Sequence, residues 1–138
     1  MKKYFTVVLM IAIANLSLAQ NSNIVGNWKL KKHLLAENGK TEDLLTADHT
    51  YTYEFATDHT CKYTAVDKKN STTTVINWKW KFMNKGKKVI LYDGAQVGDS
   101  HLISDKNFPV IKLTASEFVT RELLFGMDLL GTSYYKKQ

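Results

Sequence analysis

Large apolar side chains recur at every second position through much of this chain. The clearest run is Ile76-Asn77-Trp78-Lys79-Trp80-Lys81-Phe82, in which Asn or Lys separates each bulky residue from the next. No helix places residues two apart on one face, so this run predicts a strand with one buried side. The first such segment puts Trp28, Leu30 and Leu34 on one face and Asn27, Lys29, Lys31 and His33 on the other. Further strands are expected over residues 50–55, 61–66, 89–92, 101–104, 110–113, 118–124 and 132–135. Turn-forming stretches such as Asp67-Lys68-Lys69-Asn70-Ser71 and Asn84-Lys85-Gly86 lie between them. Pro109 is expected at the first residue of a strand or on an edge, where no ladder donor is missed. Thr41 is placed to cap a short helix over residues 41–47, with Glu42 and Asp43 in its first turn. That helix would cover one mouth of the fold; an ordinary solvated loop is the other reading. The set amounts to roughly eight or nine short strands at about ten-residue spacing, an all-β meander or closed antiparallel barrel.

The pattern changes at the N-terminus. Lys2 and Lys3 form a positive start, Tyr4 to Leu18 is apolar, and Ser17-Leu18-Ala19 brings small residues to the positions a signal peptidase reads. Residues 1–19 are therefore expected to be a signal peptide cleaved after Ala19. Residues 20–138 remain as one domain that is secreted or periplasmic. An apolar run of about fifteen residues falls short of the roughly twenty that span a bilayer, so no stable membrane anchor is expected after cleavage.

Composition narrows the function classes. The net charge of +6 falls to about +4 without Lys2 and Lys3, and Arg121 is the only arginine. Scattered lysines without an arginine cluster argue against nucleic acid as a partner. The lone cysteine, Cys61, makes no internal disulfide, and its alternation with Tyr63 and Ala65 marks it as a buried thiol. Stability then falls to the apolar core. Asp48-His49-Thr50 and Asp58-His59-Thr60 recur ten residues apart, but each histidine begins a different strand of one hairpin. Antiparallel geometry sets them about 20 Å apart at roughly 3.3 Å per residue, too far to share one ion. No nucleophile motif, metal set or glycine-rich phosphate loop appears, so neither catalysis nor a cofactor is expected.

Several of these segments resemble the lipocalins, and in particular the small bacterial lipocalin-like domains of the calycin type. Gly26-Asn27-Trp28 matches the Gly-x-Trp that opens the lipocalin first strand. Residues 51–60 resemble the family's aromatic hairpin, with His59 where glycine usually stands. Residues 111–119 and Tyr134-Tyr135-Lys136-Lys137 resemble its closing strands. The chain is shorter than most lipocalins and lacks their C-terminal helix and disulfides.

The resemblance implies an up-and-down barrel of about eight strands. Gly26 and Trp28 would close one end, and a late cation, Arg121 or alternatively Lys136, would lie across the indole. It also implies a ligand-binding role. Tyr51, Tyr53, Tyr63, Trp78, Trp80 and Phe118 then form the expected ligand-contacting set, because rings with a few polar tips suit a small apolar or amphipathic molecule. The same side chains serve equally to fill the interior. A protein partner, such as a secreted protease bound by an inhibitor of this barrel type, is the alternative. A biotin-binding barrel also opens with Gly-x-Trp, but its ligand set does not map onto this chain.

Overall fold

A computed structural model describes residues 22–124 and 129–138; the expected signal peptide, its expected cleavage site and Gln20-Asn21 lie outside the described residues. Ten strands follow in order: β1 (Gly26–Glu37), β2 (Lys40–Asp43), β3 (His49–Phe55), β4 (Thr60–Asp67), β5 (Thr72–Met83), β6 (Lys88–Gln96), β7 (Leu102–Ile103), β8 (Lys106–Leu113), β9 (Glu117–Leu123) and β10 (Leu130–Lys137). Every pairing is antiparallel. β1, β3, β4, β5, β6, β8, β9 and β10 close into an eight-strand barrel through the β10–β1 ladder, while β2 and β7 pair outside this ring. This is the all-β antiparallel barrel expected from the alternation. Closure matters physically because it leaves no edge strand along the ring.

The first half of β1 pairs with β3 and its second half with β2, and its other edge takes β10. The β1–β2 hairpin turns on Asn38 (φ 52) and Gly39 (φ 73). Positive φ at two successive central residues is the type I′ geometry that favours Asn-Gly, because its twist matches the flanking strands. Residues 41–47 are accordingly not helical: 40–43 form β2 and 44–48 a loop. The only short helix among the described residues is at 22–24, just before β1.

Three irregularities reset which side chains face inward. Between Leu30 and Lys32 the β1–β10 register slips, so Leu30 is buried, Lys31 and Lys32 are exposed, and His33 becomes fully buried. Uninterrupted alternation had placed His33 outside and Leu34 inside; one extra residue reverses both. A second slip at β5–β6 brings Gly94 inward beside Leu91, with Asp93 in a positive-φ conformation (φ 54) between them. The third falls between Val110 and Lys112.

Pro109 lies inside β8 rather than at its start. Val110 donates to the Lys87 carbonyl, so alternation turns the proline nitrogen toward β9. The β8–β9 ladder begins only at Val110, so no donor is missed there.

The core is one continuous apolar cluster of Trp28, Leu30, Phe55, Ile76, Val89, Leu91, Phe108, Phe118 and their neighbours. Cys61 belongs to it at 1% exposure. Burial pushes its thiol far up from the ordinary range, and burial followed by the Glu122 charge does the same to the Tyr53 and Tyr135 phenols. An unfolded chain loses these protons near pH 8.5 for Cys and pH 10 for Tyr. The folded chain keeps them, so their stabilisation is complete below about pH 8 and is lost as pH rises beyond. Melting temperature is expected to stay level with respect to these groups up to about pH 8 and then to fall steeply past pH 10. Cys61→Ala should delay the onset of that fall, as followed by circular dichroism.

Candidate functional site

The barrel has two unlike ends. At one, Gly26 takes φ 132, a conformation open to glycine, and a Cβ there would meet the Lys137 side chain. That opening lets Lys137 run back over the indole. Its Nζ sits 5.1 Å from the Trp28 ring centroid and donates to the Asn23 carbonyl at 3.2 Å. Trp28 is fully buried, donates from Nε1 to the Ile24 carbonyl at 2.6 Å, and packs on Phe118 at 5.6 Å between ring centroids.

The indole is capped as expected, but by Lys137 rather than Arg121 or Lys136. Arg121 lies on the exposed face of β9, opposite Thr132. Alternation along β9 decides this, since Phe118, Thr120 and Glu122 take the inner positions. Replacing Lys137 with Ala should cost about 1 kcal/mol of stability through the lost cation–π contact and hydrogen bond. Arg121→Ala should stay within about 0.5 kcal/mol. Urea denaturation of the two variants distinguishes the roles.

All six predicted ring residues are buried. Trp80 and Phe118 belong to the Trp28 end: Trp80 meets Phe55 edge-on at 5.7 Å, stacks under His59 at 4.6 Å, and donates from Nε1 to the Ala56 carbonyl at 3.1 Å. His59 occupies its glycine-like position with φ 64. Tyr53 is the hub of the middle layer, with Phe55, Tyr63, Phe108 and Tyr135 at 4.8–6.2 Å between centroids. Tyr51, Tyr63 and Trp78 lie nearer the far end. Tyr51 stacks with Tyr63 at 6.3 Å and Tyr63 meets Trp78 at 6.1 Å.

Above Tyr53 stands a polar cluster that the sequence reading passed over. Glu122 on β9 is 2% exposed inside the barrel. Its Oε2 accepts from Tyr53 Oη at 2.9 Å and from Lys106 Nζ at 3.4 Å; its Oε1 accepts from Thr120 Oγ1 at 2.9 Å and Tyr135 Oη at 2.5 Å. Lys106 at the start of β8 also donates to Tyr53 Oη at 3.1 Å. Its ammonium lies 5.5–5.9 Å from the centroids of the Tyr53, Tyr63 and Phe108 rings. A buried carboxylate is tolerated because each oxygen has two donors and a cation stands beside it. His33, turned inward by the β1 irregularity, hydrogen-bonds through Nδ1 with Ser133 Oγ at 2.8 Å. The signal for Glu122 was present: counting by two from Phe118 gives Thr120 and then Glu122, as counting back from Phe108 gives Lys106. Apolar residues on both faces of residues 118–124 hide that count.

His49 and His59 fall at opposite ends of the β3–β4 hairpin. Among the described residues no group of three or more His, Cys, Asp or Glu side chains is placed to hold a metal ion.

No protein-family model matches the chain, and no curated protein matches it either. Among solved structures, the crystal structure of a lipocalin-like protein from Bacteroides uniformis superposes with a TM-score of 0.56 at 15% sequence identity, covering 84% of this chain and 99% of that one. At that identity the likeness speaks for the fold alone. Together with the closed eight-strand barrel, it shows that this chain has a lipocalin-like fold.

Proposed function

We propose that the protein is an exported carrier that binds a small apolar or amphipathic molecule in its barrel, without chemistry on the ligand. The observation that carries this reading is the interior itself. Tyr51, Tyr53, Tyr63 and Trp78 supply ring surface, and Glu122 and Lys106 place charged, hydrogen-bonded groups within it. Apolar walls with a few fixed polar groups are what small-molecule sites are built from. The lipocalin-like fold supports a ligand-binding role in general.

Export rests on the sequence of residues 1–19. It is tested by the N-terminus of the protein recovered outside the cytoplasm, expected at Gln20. Ligand binding is tested by melting shifts and native mass spectrometry across a panel of lipids and pigments. A bound mass with a matching rise in melting temperature supports the carrier reading. No shift and no adduct with any member of the panel overturns it.

A further inference from the structure

Two of the strand irregularities load one outer face of the barrel. In β1, Lys31 and Lys32 are both exposed between the buried Leu30 and His33. In β8, Ile111 and Lys112 are both exposed between Val110 and Leu113, which pack on the core. Each slip thus presents two successive side chains outward where a regular strand presents one. The β9–β10 hairpin stands between these strands in the ring. Its inner positions include Phe118, Thr120, Glu122, Ser133 and Tyr135, so alternation sends the residues between them outward.

Register joins these outer side chains into one patch. Lys29 faces Lys136, Lys32 faces Tyr134, Tyr134 faces Val119, and Val119 faces Lys112. Thr132 lies between Leu34 and Arg121, and Leu130 faces Leu123. The patch holds six cations: Lys29, Lys31, Lys32, Lys112, Arg121 and Lys136. Among the described residues its one carboxylate is Glu117, which pairs with Lys112 and lies 3.9 Å from Lys136. Lys31, Lys32, Lys136 and Glu117 rim a groove of about 350 Å³ that Leu34, Val119 and Tyr134 also line. Apolar surface is interleaved with the charge: Ile111 is 57% exposed, Leu130 49%, Leu123 47% and Tyr134 38%.

This mixture suits the head-group boundary of a bilayer. Lysine stems, aliphatic side chains and a phenol meet acyl carbon there, while the ammonium groups reach lipid phosphates. Other occupants fit less well. A second copy laid on this face would oppose its own cations to these. Protein interfaces are depleted in lysine, which supplies five of the six cations here.

We propose that the β8–β9–β10–β1 face docks the protein reversibly on a membrane surface bearing anionic phospholipids. Lys31, Lys32 and Lys136 hold a phosphate head group at the groove, and Ile111, Leu123 and Leu130 rest against the acyl boundary. The barrel interior takes no part, so the proposal stands apart from the carrier reading.

Co-sedimentation of the full chain with two kinds of vesicle tests it: pure phosphatidylcholine, and equal parts phosphatidylcholine and phosphatidylglycerol. Binding is expected with the mixed vesicles and is lost in high salt. Lys31→Gln with Lys32→Gln should weaken it about thirtyfold, the share of two surface cations. Leu123→Ser with Leu130→Ser should weaken it about tenfold. Lys68→Gln with Lys69→Gln makes the same charge change in the exposed β4–β5 turn, on the other side of the ring, and should stay within about twofold. Residues 1–19 are common to every variant, so differences among variants report on the face. Equal binding to the two kinds of vesicle overturns the proposal, as does an equal loss in both lysine pairs. Full affinity retained in the Lys31 and Lys32 variant or in the Leu123 and Leu130 variant also overturns it. Binding to soluble poly-glutamate with none to the mixed vesicles overturns it in favour of an acidic protein partner.

Discussion

Replacing Glu122 with Ala is expected to lower stability by about 3–5 kcal/mol, because it strands a charge and three hydroxyls inside the barrel. Lys106 would lose its counter-ion, and the Tyr53, Tyr135 and Thr120 hydroxyls would lose their common acceptor. For a domain of this size that amounts to a melting temperature roughly 10–20 °C lower. The magnitude comes from the unpaired partner, not from any net gain of the pair over an apolar filling. The double variant Lys106→Met with Glu122→Leu should therefore recover much of the loss, since both charges leave together. Recovery should be incomplete, because the three hydroxyls stay buried. Thermal and urea denaturation of the two variants measure the difference. A double variant as unstable as Glu122→Ala would contradict the assignment of the cost to the stranded ammonium.

Trp28→Ala should cost about 3–5 kcal/mol, on the scale of emptying a large aromatic site. Three contacts go at once: the tilted packing on Phe118, the Nε1 donation to Ile24, and the platform under Lys137. Trp28→Phe keeps a ring against Phe118 and loses the N–H, so about 1–2 kcal/mol is expected. If the two variants prove equally unstable, the ring is not what holds this end shut. The same urea titrations decide the point.

The fold was legible where alternation ran unbroken. Residues 76–82 read as a strand because their inner face is uniformly aromatic and aliphatic, and β5 occupies them with Ile76, Trp78 and Trp80 buried. Trp28 lies buried near the start of β1, with Lys137 over its ring. The facing of His33 was illegible because a strand counts in twos only until a residue is inserted. His33 was placed on the wrong face because nothing in Leu30-Lys31-Lys32 announces the slip against β10. Lys137 was missed as the indole's cover because its reach depends on the space that Gly26 leaves, a relation between chain ends that spacing cannot express. β2 is a different case. Asn38-Gly39 is a strong hairpin signal, but the acids at Glu42 and Asp43 suited a helix start equally well.

The β10–β1 ladder also bears on how the polypeptide reaches its final form. The ring is sewn shut by its first and last strands, so the most sequence-distant pairing must be made before either flank is satisfied, a topology that folds slowly. Until then the nascent arc exposes two sticky margins on which neighbouring copies would stack. Those margins carry Lys29, Lys31 and Lys32 on one side and Lys136 and Lys137 on the other. Like-signed gatekeepers on both flanks repel a second copy. The cost survives in the finished ring as Lys29 facing Lys136 across the ladder, relieved in part by Glu117 at 3.9 Å from the latter.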